Sequence, residues 1–299
     1  MGSSSSKPSS KTIIVGASGC VGKATLEAFS ARHHGANEPY AGVRDVAGFE
    51  NNALKIPTIR TDLADKPALT RALQGFENVF LVVPCTEDRT ALAINGLEAA
   101  KEAGAGFILV LSITLAGTDT IFGRQFTPIE DRAKALGIPY TIIRLPLFMD
   151  NNFAHIASIA KQNNFCDPRN PGNRFASVAV EDVGKCAANI LTSPKIHHNK
   201  TYKLIGQFHS VEDSRAALSK FLHRTIKIKT VTYHSFKMLH MDNGIPEWQI
   251  DGLIEWLKHG DAAKLIKKDA EAIQMITGER PMSIQDFIAV NAIAFGWKL

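Results

Sequence analysis

Thr12-Ile13-Ile14-Val15 is followed at once by Gly16-Ala17-Ser18-Gly19-Cys20-Val21-Gly22 and then by a run of helical period, Lys23 to Ala31. Strand, glycine turn and helix in that order open a βαβ unit. The glycines permit a tight turn and close backbone approach, while the helix start offers unpaired N–H groups and a positive dipole end to a pyrophosphate. A G-x-x-G-x-x-G string alone is weak evidence, since glycines also serve turns chosen only for packing. Its position at the first strand-to-helix junction gives it meaning here.

Apolar runs of strand length recur after this unit: Tyr40 to Arg44, Lys55 to Arg60, Val79 to Val83, Phe107 to Leu111 and Tyr140 to Leu145. Helical segments separate them, such as Asp65 to Phe76, where Leu69, Ala72, Leu73 and Phe76 repeat at helical spacing behind Asp65 as the cap. Nearly continuous Val/Ile/Leu strands alternating with helices predict a doubly wound parallel α/β sheet covered on both faces. After Pro146 the alternation loosens. A loop, Asp167 to Asn173, separates mostly helical pieces from two later strand-like runs, Thr201 to Ile205 and Thr225 to Thr232. From Pro246 to Phe295 the period is helical, with breaks at Gly260 and at Thr277 to Pro281. The expected organisation is a flexible Ser-rich tail over 1–11, a dinucleotide-binding domain over 12–150, and a dependent, mostly helical substrate lobe over 151–299.

Composition narrows the function classes. Of 299 residues, 45% are hydrophobic and 21% charged, which excludes disorder and fibres. No stretch reaches the ~20 consecutive apolar residues of a membrane span, and the N-terminus lacks the apolar core of a secretory signal. Lys and Arg total 34 against 29 Asp and Glu, and Lys7 and Lys11 belong to the tail. That balance, without a basic run, points to anionic small molecules and away from nucleic acid. Cys20, Cys85, Cys166 and Cys186 are widely spaced and read as thiols of a reducing, cytoplasmic compartment.

Arg44 ends the second strand, 22 residues after Gly22, near where dinucleotide folds place the group that reads the adenosine ribose. An arginine there suits the 2′-phosphate of NADP, whereas the adjacent Asp45 would suit the free hydroxyl of NAD. The expectation is NADP(H) over NAD(H), with a solvated strand end as the other reading of both residues. Asp62, after the third strand, lies at the ligand-binding edge of such a sheet or caps the next turn.

These residues resemble the NmrA-like family of atypical short-chain dehydrogenase/reductases. The resemblance rests on GASGCVG at 16–22, AGVRD at 41–45, TDLAD at 61–65, NVFLVVP at 78–84, GIPYTIIRLPLFMDN at 137–151 and TGERPMSIQDF at 277–287. It spans residues 12–295 and is strongest to a branch similar to azo- and quinone-reductase-like proteins and festuclavine dehydrogenase. It implies a Rossmann fold in which Gly16, Ser18, Gly19, Cys20, Val21 and Gly22 hold the pyrophosphate. Arg44 would meet the 2′-phosphate and Asp62 with Leu63 the adenine; Val83, Pro84, Ser112 and Phe148 would border the nicotinamide.

The chain also departs from its relatives. Ordinary short-chain dehydrogenases use a Tyr-x-x-x-Lys dyad after the fifth strand, and no tyrosine lies between Phe107 and Tyr140. The one literal match, Tyr233 to Lys237, stands in the wrong context. Isoflavone reductases carry a lysine near the position of Phe126, which has no proton to transfer, and Leu145 replaces the proline usual after the arginine of the sixth strand. What remains is hydride transfer governed by positioning, for which quinones, azo bonds and iminium groups are suitable acceptors. Ser112 is the candidate polarising group, with a serine satisfying the strand end as the alternative. The competing class is a non-catalytic NADP(H) sensor acting through a protein partner. The absent dyad favours the sensor, whereas Trp248 and Trp256 favour a substrate lobe unless they are helix core.

Three smaller signals complete the reading. The paired histidines His33-His34 and His197-His198 lack metal-ligand spacing and read as surface residues, so no metal is expected. Cys20 at a helix start could be a reactive thiol or a small packing residue. Met1-Gly2-Ser3-Ser4-Ser5-Ser6-Lys7 fits N-myristoylation of Gly2, and equally an unmodified or engineered start. A single such chain would give only weak, reversible membrane contact. Trp297-Lys298-Leu299 shares two residues with the peroxisomal S-K-L signal, but bulky Trp297 argues against it.

Overall fold

The computed structural model describes residues 10–32, 39–50, 55–259 and 271–296. Gly2 and its proposed acyl group, His33-His34, Gly260 and Trp297 to Leu299 lie outside the described residues. No helix among the described residues is long and apolar enough to cross a membrane.

The strands are β1 (Thr12–Val15), β2 (Tyr40–Val43), β3 (Thr58–Arg60), β4 (Asn78–Leu81), β5 (Phe107–Ile113) and β6 (Tyr140–Leu145). They continue with β7 (Leu147–Phe148), β8 (Asn164–Asp167), β9 (Arg174–Val178), β10 (Lys200–Lys203), β11 (Gln207–Ser210) and β12 (Lys227–Thr230). The helices are α1 (Cys20–Arg32), α2 (Val46–Glu50), α3 (Lys66–Leu73), α4 (Arg89–Glu102), α5 (Ile121–Ala135) and α6 (Ile156–Gln162). After them come α7 (Val180–Thr192), α8 (Val211–Phe221), α9 (Tyr233–Asp242), α10 (Glu247–His259), α11 (Ala272–Thr277) and α12 (Ile284–Val290).

Seven strands form the main sheet in the order β10-β6-β5-β4-β1-β2-β3. β1 pairs in parallel with both β2 and β4, β2 with β3, and β4 with β5. The order reverses between β1 and β4, which makes the end of β1 the switch point where doubly wound sheets bind ligands. The expected doubly wound α/β class is therefore the observed one.

By contact density the chain divides into two compact units. The first comprises Met1–Leu111, Pro128–Ile142 and Gly184–Thr201; the second comprises Ser112–Thr127, Ile143–Val183 and Tyr202–Leu299.

In the first unit, Ile13, Ile14, Val79, Phe80, Leu81 and Ile108 are buried on the strands, as nearly continuous apolar runs require. Asp65 caps α3 by accepting the Ala68 N–H at 3.0 Å, and Pro67 occupies the first turn, where its missing N–H costs nothing. Leu69 and Leu73 form the buried stripe of α3, as their spacing predicted. At α7, Gly184 lets the helix approach α1 closely: a Cβ there would lie 2.5 Å from the Ala24 carbonyl.

The second unit carries short strands beside its helices. It holds a three-stranded sheet, β11-β9-β7, and a parallel pair, β12-β8. Of these strands, only β12 falls within a run that the sequence singles out, Thr225 to Thr232. Met149, Phe165, Leu218, Phe287 and Phe295 belong to its main core, while Phe236, Ile250 and Ile254 form a smaller cluster shared by α9 and α10. The TGERPMSIQDF motif is helix punctuation. Gly278, at φ 76°, ends α11, and Ser283 opens α12 through a reciprocal capping box with Asp286. Arg280 pairs with Asp286 at 2.8 Å. The arginine and the serine together hold the Asp286 carboxyl far below the ordinary range.

Candidate functional site

At the end of β1 the chain turns through Gly16, whose φ of 84° favours glycine. Gly16 and Ala17 both donate to the Gly42 carbonyl of β2, at 2.9 and 3.1 Å. A Cβ at Gly16 would stand 3.0 Å from the Val82 carbonyl oxygen, and one at Gly22 would stand 2.5 Å from the Gly16 carbonyl oxygen and 2.6 Å from the Ala17 Cα. The first intrahelical bond of α1 runs from Lys23 N–H to Gly19 C=O at 2.9 Å. Ser18, Gly19 and Cys20 are exposed, whereas Val21 and Gly22 are buried. A turn that requires glycine at positions 16 and 22 thus leads into a helix with no acidic residue in its first turn, which keeps the dipole end uncompensated for an anion.

Arg44 follows β2 and is exposed. Its neighbour Asp45 is occupied: the Oδ1 atom accepts the Gly48 N–H at 3.1 Å and closes the start of α2. Asp62 is similarly engaged, accepting the Ala64 N–H at 3.0 Å. The Leu63 carbonyl accepts from Asn95 of α4 at 3.0 Å, while its side chain packs over Gly96, where a Cβ would be 2.9 Å from Leu63 Cδ2. Between these groups, the buried Thr61 hydroxyl has no hydrogen-bond partner. Sequence reading passed over Thr61, although it opens the quoted TDLAD motif. The Gly16–Gly22 cradle, the exposed guanidinium and the orphaned hydroxyl fit the adenosine and phosphate portion of a dinucleotide.

Past β4, Val83 is buried, Pro84 half-buried and Cys85 exposed. Arg89, only 5% exposed, donates from Nε to the Thr86 carbonyl at 3.1 Å and from Nη2 to Cys85 Sγ at 3.5 Å. Burial is the main influence on Arg89 and lowers its pKa. This buried cation was not anticipated, because Arg89 heads an otherwise ordinary helical run.

The remaining expected site residues belong to the second unit. Ser112 is fully buried in β5, and Phe148 is half-buried in β7, paired in register with Val178. Phe126 is buried in α5. Trp248 and Trp256 both pack edge-on against Phe122, with ring centroids 6.2 and 6.1 Å away, so they serve as packing residues in this unit. Lys237 of the literal Tyr-x-x-x-Lys string is bound to Glu247 at 2.7 Å and Asp251 at 2.8 Å, and these acids raise its pKa. The Tyr233 ring instead lies under Lys258, at 4.8 Å. None of the four cysteines is in a disulfide, and no metal-binding group of His, Cys, Asp and Glu is found among the described residues.

The NmrA-like family model matches residues 8–268. The chain belongs to the NmrA-like family. Among curated proteins it is similar to the NAD(P)H azoreductase of Xenophilus azovorans, at 26% identity over 289 residues, covering 95% of this chain and 99% of the relative. It is also similar to quinone oxidoreductase 2 of Escherichia coli strain K12, at 27% identity over 252 residues, covering 83% and 86% of the two chains. The solved structure of an NADPH-dependent quinone oxidoreductase from Escherichia coli, complexed with NADPH, superposes with a TM-score of 0.82. Identity in that comparison is 24%, and it covers 93% of this chain and 99% of the other. For this NmrA-like chain, that likeness establishes the fold.

Proposed function

We propose that this NmrA-like protein binds NADP(H), in preference to NAD(H), and transfers hydride to a small conjugated acceptor of quinone, azo or imine type. The observation that carries the reading is the junction of β1 and α1, where Gly22 tolerates no side chain and the helix start is bare of acids. The sequence relatives, named as an NAD(P)H azoreductase and a quinone oxidoreductase, support the reaction class.

In this reading Gly16, Ser18, Gly19, Cys20, Val21 and Gly22 hold the pyrophosphate through backbone N–H groups and the helix dipole. Arg44 pairs with the 2′-phosphate, which a guanidinium can engage through two hydrogen bonds. Asp62 and Leu63 stay with the adenine, and the Thr61 hydroxyl gains the partner it lacks. Val83 and Pro84 border the nicotinamide, and the roles of Phe148 and Ser112 as further neighbours follow from the family resemblance. When bound, the nicotinamide supplies the hydride. The protein orients the reactants and shields them from water, and quinone, azo and iminium acceptors demand little acid catalysis. A protein partner and a membrane contact through Gly2 remain separate proposals that the reductase reading does not require.

The test is to titrate the full chain with NADPH and NADH, then follow NADPH oxidation with a panel of quinones, azo dyes and imines. Turnover on at least one acceptor class supports the reductase. Tight NADPH binding with no turnover on any of them would favour the sensor.

A further inference from the structure

The loop that follows β4 starts against the phosphate turn. Val82 donates its N–H to the Val15 carbonyl at 3.0 Å, and a Cβ at Gly16 would stand 3.2 Å from the Val82 Cβ. Beyond Val83 and Pro84 the chain is exposed from Cys85 to Asp88, and α4 then begins at Arg89. A dinucleotide laid across the switch point of a doubly wound sheet places one half over β2 and β3 and the other over β4. With Arg44, Asp62 and Leu63 on the adenosine half, the loop after β4 meets the nicotinamide half.

Arg89 ties this loop to the helix. Its backbone N–H and its Nε both donate to the Thr86 carbonyl, at 3.2 and 3.1 Å, and Nη2 donates to Cys85 Sγ at 3.5 Å. A cation is disfavoured here on two counts. The side chain loses hydration in a residue only 5% exposed, and the first turn of a 14-residue helix is the positive end of its dipole. What the position uses is shape, because a planar guanidinium engages acceptors on two consecutive residues in fixed directions and an ammonium does not.

The same helix is anchored separately on the adenosine half. Asn95 Nδ2 donates to the Leu63 carbonyl at 3.0 Å, and at Gly96 a Cβ would stand 2.9 Å from Leu63 Cδ2 and from Leu81 Cδ1. Loss of the Arg89 fork therefore frees the loop while α4 and the adenosine half keep their contacts.

We infer that Arg89 is a positioning residue for the nicotinamide: through Thr86 and Cys85 it sets the loop that continues from Val83 and Pro84, while Asn95 of the same helix sets the adenosine half. The inference rests on the dinucleotide reading and assigns, within it, which contact governs which half of the cofactor.

Isothermal titration of the full chain with NADPH and with adenosine 2′,5′-bisphosphate, which has the adenosine and the 2′-phosphate but no nicotinamide, separates the two halves. Arg89→Lys keeps the charge and loses the fork, so it should weaken NADPH about tenfold and leave the bisphosphate within about twofold. Arg89→Gln, neutral and easily buried, should give the same split. Asn95→Ala should weaken both ligands by the same factor. With both ligands bound by the parent chain, equal weakening of the two in the Arg89 variants, or unchanged affinity for NADPH, overturns the inference alone. A parent chain that binds neither ligand overturns the dinucleotide reading and the inference together.

Discussion

The Asp45 carboxylate accepts the Gly48 N–H at 3.1 Å, so the acid beside Arg44 serves as the cap of α2. A carboxylate held in this way is poorly placed to read a ribose hydroxyl, which supports the proposal that the exposed Arg44 reads the 2′ position. Arg44→Ala should weaken NADPH by about tenfold or more, the scale of a lost charge-assisted hydrogen-bonded pair, and leave NADH within about twofold. Titration of both nucleotides checks this, and equal losses would remove Arg44 from the 2′-phosphate site. Asp45→Asn should leave the NADPH-to-NADH ratio unchanged, since asparagine caps about as well as aspartate.

Gly22→Ala places a methyl group 2.5 Å from the Gly16 carbonyl oxygen. The turn must open to admit it, at a cost of about 1–3 kcal/mol in urea unfolding. Affinity for NADPH should fall with it. Gly75→Ala makes an informative contrast: a Cβ there meets nothing within 4 Å, so its cost is confined to backbone strain at φ 81°, and NADPH binding should be kept.

His209 is 1% exposed, with Nε2 at 2.7 Å from Ser177 Oγ. Burial, assisted by the Arg169 charge, lowers its pKa from 6.5 to about 4, against the opposing effect of its contact with the Ser210 carbonyl. Below pH 6.5 the unfolded chain protonates this ring while the folded chain does not. The contribution is therefore intact above pH 6.5 and is lost as pH falls from 6.5 towards 4, by about 3 kcal/mol in all. Urea unfolding at pH 7 and pH 5 should show a smaller pH-dependent loss for His209→Gln than for the parent chain. An identical loss in both would assign the acid sensitivity to other groups.

Ser283 and Asp286 cap α12 reciprocally, and Arg280 braces the acid from an exposed position. Ser283→Ala should cost about 1 kcal/mol, and Arg280→Ala distinctly less than Ser283→Ala, because a solvated ion pair contributes little. Thermal or urea unfolding of the two variants decides the order.

The legible parts of this fold are those in which local chemistry and tertiary structure agree. The apolar strands β1 and β6, the glycine turn, the Asp65 cap and the break at Gly278 each depend on neighbours in sequence, and each is where the sequence predicts it. Strands β7, β8, β9 and β11 are two to five residues long, and β8 owes its existence to β12, about 60 residues away in sequence. No local pattern announces such a pairing. The same limit applies around the cofactor cradle. An aspartate after β2 has the same spacing whether it reads a ribose or caps a helix, and only the position of the Gly48 N–H distinguishes them. Thr61 and Arg89 matter through burial and missing or unusual partners, which sequence does not display.

Hydride transfer itself is tested most directly by loading the full chain with NADPH, adding a simple quinone, and counting NADPH consumed against hydroquinone formed. The proposed function predicts one hydroquinone per NADPH, at a rate well above that of the protein-free mixture. Tight NADPH binding with oxidation no faster than in the protein-free mixture, repeated across azo and imine acceptors, would contradict it.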